Sequence, residues 1–163
     1  MSYLRFDKTL MTNLSDSLQK EVLRSNRSGA YACTTIVDCN TRKYHGLLVV
    51  PVPELDDENH VLLSSLDATV IQHGAEFNLG LHKYQGDNFS PRGHKYIREF
   101  DSFQVPTTTY RVGGVILKRE MMFQHFENRI IIRYTLVEAH SATTLRLQPF
   151  LAFRSVREFT HEN

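Results

Sequence analysis

The sequence predicts a mainly β protein, an antiparallel β-sandwich with one short N-terminal helix. Three observations carry that prediction. Segments rich in β-branched and aromatic residues recur at short intervals along residues 31–153. Turn signals separate them, above all His73-Gly74 and Gly113-Gly114, which suit two-residue hairpins. No helical periodicity appears after Gly29, so the helices that parallel crossovers need are missing.

The helical signal lies in the first 25 residues. Leu14, Leu18 and Val22 recur every four positions, and Asn13 or Ser15 offers an N-cap. The chain thus divides into a helical lead-in over 1–25 and a β-sandwich over 26–163. Residues 31–37 read as a strand and 44–52 as the next, ended by Pro51 and Pro53, with 40–43 connecting them. The acidic run 54–58 reads as a surface loop, and strands over 61–72 and 76–81 flank His73-Gly74. Residues 82–95 mix glycine, proline and polar side chains and read as a long exposed loop of the kind that often carries function. Tyr96, Arg98 and Phe100 then alternate with Ile97, Glu99 and Asp101. Strands over 107–112 and 115–124 flank the glycine pair, 129–138 follows a turn at Glu127-Asn128, and 143–153 is the last strand, with Leu145 and Leu147 on one face.

Composition excludes several classes. With 163 residues the chain can bury about 68–70% of its unfolded surface and needs no staples. Lys and Arg total 19 against 18 Asp and Glu, so there is no basic excess for nucleic acid. No apolar run nears the roughly 20 residues of a membrane span, and Met1 to Leu10 lacks a secretory h-region, so a cytoplasmic protein is expected. Cys33 and Cys39 sit six apart in an extended stretch. On one strand that is about 20 Å, far beyond the ~7 Å a disulfide spans, so both are expected as free thiols.

Catalytic motifs are missing. There is no nucleophile elbow, phosphate-binding loop or H-E-x-x-H. None of the eight histidines pairs as H-x-H or at i, i+4, so no metal and no cofactor is expected. Glu99 and Asp101 would share a strand face about 6.6 Å apart, and paired carboxylates are what glycoside hydrolysis uses. A jelly-roll glucanase run would need a third acid where Phe103 or Gln104 stands. The pair is therefore read as solvated carboxylates facing Arg98 or Arg111, and no catalytic residue is assigned.

Binding chemistry concentrates in Thr41-Arg42-Lys43-Tyr44-His45-Gly46. Arg42 offers a fork of donors, Tyr44 a ring that stacks on a sugar face, and Gly46 a close backbone approach. The competing reading is a structural hairpin in which Asn40 serves the turn. With no Trp in the chain, Tyr44, Tyr84 and Tyr96 are the available platforms. The candidate substrate-binding residues are Asn40, Arg42, Tyr44, His45 and Tyr84.

The run Asn40-Thr41-Arg42-Lys43-Tyr44-His45-Gly46-Leu47-Leu48-Val49 resembles the N-T-R-[RK]-Y-H-G-L-L-V signature of bacterial and archaeal-type glycogen debranching enzymes. Further pieces agree in order: Val61 to Asp67, Leu117 to Glu120, Asn128 to Tyr134, Leu147 to Arg154 and Thr160 to Asn163. The chain departs from the family's T-N-G-L-G-G-Y-A with Ser25-Asn26-Arg27-Ser28-Gly29-Ala30-Tyr31-Ala32.

The resemblance implies a supersandwich-like N-terminal β domain that continues past Asn163 and precedes an α/α-toroid catalytic domain. That toroid would remove α-1,6-linked glucose stubs (amylo-α-1,6-glucosidase, a glycoside hydrolase) with an acid and a base carboxylate. This chain is then expected to be inactive alone. Its expected partners are the toroid and α-glucan, either glycogen or maltooligosaccharide. The other readings are a stand-alone glucan-binding module, a purely structural docking domain and a small hydrolase using Glu99 and Asp101. Exposed sheet edges are further expected to drive a two-fold homodimer.

Overall fold

The computed structural model describes residues 3–158; the Thr160 to Asn163 piece of the resemblance lies outside them. Its N-terminal part is β1 (Arg5–Asp7), α1 (Lys8–Thr12), α2 (Leu14–Ser17) and β2 (Glu21–Ser25). Next come β3 (Tyr31–Thr35), β4 (Gly46–Pro51), β5 (Asn59–Gln72) and β6 (Ala75–Asn78). A small hairpin of β7 (His82–Tyr84) and β8 (Asn88–Ser90) precedes a 3-10 turn, Gly93–Tyr96. The remainder is β9 (Ile97–Ser102), β10 (Pro106–Val112), β11 (Val115–Phe123), β12 (Ile130–Glu138) and β13 (Thr144–Ser155).

The strands form two antiparallel sheets, β1-β9-β10-β11-β12 and β13-β5-β4-β3-β2, with β6 also on β5. Their inner faces meet in an apolar core. Ala68 and Val70 come from the six-stranded sheet, and Phe100, Tyr110, Val112 and Leu117 from the five-stranded one. The predicted sandwich is the observed architecture. Turn chemistry sets the register: His73 (φ 51°) and Gly74 (φ 76°) both take the positive φ that a right-twisting two-residue hairpin needs. Gly113 does the same between β10 and β11 at φ 56°.

The N-terminal segment differs from the expected single helix. Leu14 and Leu18 lie in or beside α2, whereas Val22 belongs to β2. The period-four signal thus ran across two elements. Asp7 is the working N-cap, its Oδ1 accepting the Leu10 N–H at 3.2 Å. Asn13 bonds Ser15 and Asp16 side chains instead of capping the backbone of α2. Helices of five and four residues are not stable by themselves. Packing holds them, because α1 drives Met11 fully into the core, worth about 1.5–3 kcal/mol. The expected lead-in therefore supplies strands to both sheets.

The stretch 82–95 is also more ordered than an open loop. It holds β7, β8 and the 3-10 turn, and Gly93 and His94 are buried.

Candidate functional site

Strand parity locates the polar chemistry. Arg24 pairs with the core residue Ala32 and Leu23 with Cys33, so Glu21, Leu23, Tyr31 and Cys33 share the opposite, outer face of the six-stranded sheet. Residues 41–45 fold over that face. Tyr31 donates its hydroxyl to the Tyr44 carbonyl at 2.9 Å, and Arg154 of β13 donates Nη1 to the Lys43 carbonyl at 2.9 Å.

Within the segment the predicted residues divide. Asn40 points inward: Nδ2 donates to the Ser64 carbonyl at 2.8 Å, and Oδ1 accepts from Thr34 Oγ1 at 2.8 Å. His45 is fully buried. Its Nδ1 accepts the Thr41 and Arg42 N–H groups at 2.9 and 3.2 Å, and its Nε2 faces Glu21 Oε1 at 2.7 Å. Arg42 and Tyr44 are exposed, with the Tyr44 hydroxyl donated to Glu21 at 2.7 Å. Asn40 and His45 therefore shape the loop, and Arg42 and Tyr44 are the groups it presents. Gly46 permits the close crossing: a Cβ there would lie 2.8 Å from Val49 Cγ2 and 2.9 Å from Val61 Cγ1.

Glu21, Cys33 and His45 also bring one potential ligand atom each within 4.8 Å of one another. Sequence spacing missed this trio because strand pairing assembles it. Its proton arrangement does not suit a metal or a thiolate nucleophile. Two backbone donors on Nδ1 place the His45 proton on Nε2, the atom a metal would need bare. Burial holds the His45 pKa below its ordinary value, so it meets Glu21 as a neutral donor. Glu21 is lowered, first by the Tyr44 hydroxyl and then by His45. Burial pushes the Cys33 thiol up to about 11, so it stays protonated at neutral pH.

Tyr84 sits elsewhere on the same sheet's outer side. It ends β7, is 57% exposed, and holds its ring 6.5 Å from the His82 ring. His82 Nε2 lies 2.9 Å from both Asp67 oxygens. Asp67 shares its strand with the core residues Ala68 and Val70 but points the other way. Gly80 leaves room beside it, because a Cβ there would fall 2.4 Å from Asp67 Oδ2 and force that carboxylate to move. The pair fixes the small hairpin on the sheet. No sequence signal joined His82 to Asp67. Tyr96 packs edge-on against Phe77 near the core and is no platform. Glu99 is held by Arg5 of β1, at 2.8 Å from Nε and 2.6 Å from Nη2, and not by Arg98 or Arg111.

The His82 pKa is raised by its bond to Asp67, with the Asp38 charge adding to the effect. The sign follows. Below 6.5, the ordinary value, His82 is charged in both folded and unfolded chains and the stabilisation is complete. It is lost as pH rises through the higher folded value. Wild type should therefore lose stability relative to His82→Gln as pH rises above the ordinary value of 6.5 in urea unfolding. A gap that stays constant with pH would contradict the pair.

The fold and these sites define a two-sheet antiparallel β domain whose polar clusters are committed to internal bonds and which presents Arg42, Tyr44 and Tyr84 outward. The chain belongs to the glycogen debranching enzyme N-terminal family: the family model described as "Glycogen debranching enzyme N terminal" matches residues 20–163. No curated protein and no solved structure matches it. No helix among the described residues is long and apolar enough to cross a membrane.

Proposed function

We propose that the chain is the non-catalytic N-terminal β domain of a bacterial or archaeal-type glycogen debranching enzyme and contacts α-glucan itself. It would support α-1,6-glucosidase action at glycogen branch points in the cytoplasm by packing on an α/α-toroid catalytic domain. The carrying observation is the family match over 20–163. The site chemistry supports the non-catalytic half: Glu21, Cys33 and His45 are consumed by internal bonds or kept protonated, and Glu99 is tied to Arg5. The exposed groups that suit a glucan are Arg42, Tyr44 and Tyr84, with Asn40 and His45 shaping the first two.

For docking the toroid, β13 leaves Leu151 79% and Phe153 67% exposed. The same strand carries Pro149, which has no N–H, and a register shift at Phe150/Leu151. Both features blunt strand-to-strand pairing, which favours a docked domain over the two-fold dimer.

Native electrophoresis of the chain in gels with and without glycogen tests the glucan contact. Retardation in glycogen, reversed by soluble maltooligosaccharide, is expected. A folded sample that migrates identically in both gels would overturn the glucan-binding part and leave a docking domain.

A further inference from the structure

We propose that the principal α-glucan seat is an aromatic and polar platform on the outer face of the six-stranded sheet, formed by Tyr84 and Phe150 around His82, with Gln148 as its hydroxyl-binding group. This rests on the glucan-binding reading above and gives it a place that the family match does not supply.

Strand register assembles the platform. On β13, Gln148 stands opposite Asp67 and Phe150 opposite Ser65. The alternate set, Leu145 and Leu147, stands opposite the core residues Val70 and Ala68. Gln148 and Phe150 therefore share the outer face, two residues apart, which is about 6.6 Å along the strand. The β7–β8 hairpin lies against the same face because Asp67 grips His82 with both oxygens. The His82 ring consequently sits 4.9 Å from Phe150 and 6.5 Å from Tyr84.

Two aromatic residues in the sheet's outer layer, Tyr84 (57% exposed) and Phe150 (37%), form an apolar surface that folding leaves uncovered. Pyranose rings present flat C–H faces to aromatic rings and hydroxyls at their rims. Gln148 offers both a donor and an acceptor amide group for those hydroxyls, and it is exposed. At the end of the row, Arg146 and Glu76 form a forked ion pair at 3.0 and 3.0 Å across β5. That pair neutralises both charges, so the surface suits a neutral polyhydroxyl chain better than an anion. The 40–45 segment differs: its Asn40 and His45 polar atoms are spent internally, and the Tyr44 hydroxyl is given to Glu21.

The test is a titration of the chain with maltoheptaose, read by calorimetry and by glycogen-gel retardation. Tyr84→Ala and Phe150→Ala are each expected to weaken binding at least about fivefold, and Gln148→Ala by a smaller factor. Phe126→Ala, an exposed aromatic (70%) in the turn between β11 and β12, serves as the control and should bind as wild type. Unfolding midpoints show that each variant is folded. If Phe150→Ala unfolds, Tyr84→Ala and Gln148→Ala still decide, since both side chains are exposed. Glucan binding that survives both substitutions overturns the platform and leaves the proposed function standing. A folded wild-type chain that binds no maltoheptaose and is not retarded overturns both.

Discussion

Gly93→Ala is expected to cost about 4 kcal/mol or more, beyond the range of ordinary single substitutions. An ideal Cβ on Gly93 would lie 2.1 Å from the Leu79 carbonyl carbon, 2.2 Å from its oxygen and 2.4 Å from its Cα. All three are backbone atoms, so no side-chain rotation relieves the clash. Neither strand of chain can yield cheaply. Leu79 N–H donates to the Ala68 carbonyl of β5 at 2.8 Å, and Gly93 N–H donates to the Gly80 carbonyl at 2.7 Å. Against total stabilities of about 5–15 kcal/mol, such a loss would remove a large share of the chain's stability or displace its 79–96 region. Gly74→Ala is the useful contrast. Nothing lies within 4 Å of its Cβ position, and only its positive φ of 76° opposes a side chain, worth about 1–2 kcal/mol. Urea midpoints of the two variants measure the difference. A Gly93→Ala protein as stable as Gly74→Ala would show that the 79–81 and 92–94 segments do not cross as closely as they do here.

That crossing also explains which parts of the molecule were readable from sequence. The sheets were, because hairpin chemistry and β-branched content are local: His73-Gly74 and Gly113-Gly114 sit where they should and the strands around them follow. The 82–95 stretch was not. Its strands have three residues each, too short for periodicity, and long-range contacts order them: His82 to Asp67 is 15 residues away and Gly93 closes on Gly80. The N-terminal segment departs from a single helix for a related reason. Leu14, Leu18 and Val22 all pack against the core, but from a helix, its end and a strand. Equal spacing in sequence recorded shared burial and not shared secondary structure.

The site divides in the same way. Asn40 through Gly46 stood out as polar and forked, and its exposed members are Arg42, Lys43 and Tyr44. What turns Asn40 and His45 inward are Ser64 and Glu21, each 24 residues distant. Only the assembled sheet brings such partners within reach. The resemblance to the debranching family, by contrast, rested on collinear pieces and needed no tertiary information, which is why it survives where the individual roles are redistributed.

The second large effect should come from Asp38→Asn, at about 3–5 kcal/mol. Asp38 follows β3 in a turn and holds φ 60°, a left-handed conformation that Asp and Asn both tolerate. The substitution therefore keeps the backbone and removes only the charge. What it strands is Arg119, on β11 of the opposite sheet. Its Nη2 lies 3.2 Å from Asp38 Oδ2, with side-chain exposures of 8% for Arg119 and 20% for Asp38. Arg119 Nε and Nη2 have no hydrogen-bond partner among the described residues, so the Asp38 charge is the main compensation for the buried guanidinium. A guanidinium cannot shed its proton to escape burial; Asp38 and the nearby tyrosine hydroxyls of Tyr110 and Tyr134 hold its pKa still higher. The reverse change should be milder. Burial already pushes the Asp38 carboxyl pKa upward against the pull of Arg119. After Arg119→Met it can take up a proton or reach water, at a cost nearer ~2 kcal/mol. Asp38→Asn combined with Arg119→Met should then be more stable than Asp38→Asn alone, a coupling that a double-mutant cycle in urea reads directly. Equal costs for the two single changes, or additive costs in the pair, would mean that the contact is bookended by water and does not clamp the layers. If the asymmetry is found, the pair fixes the turn after β3 to the facing sheet, and with it the start of the chain that runs through Asn40 to the exposed Arg42 and Tyr44.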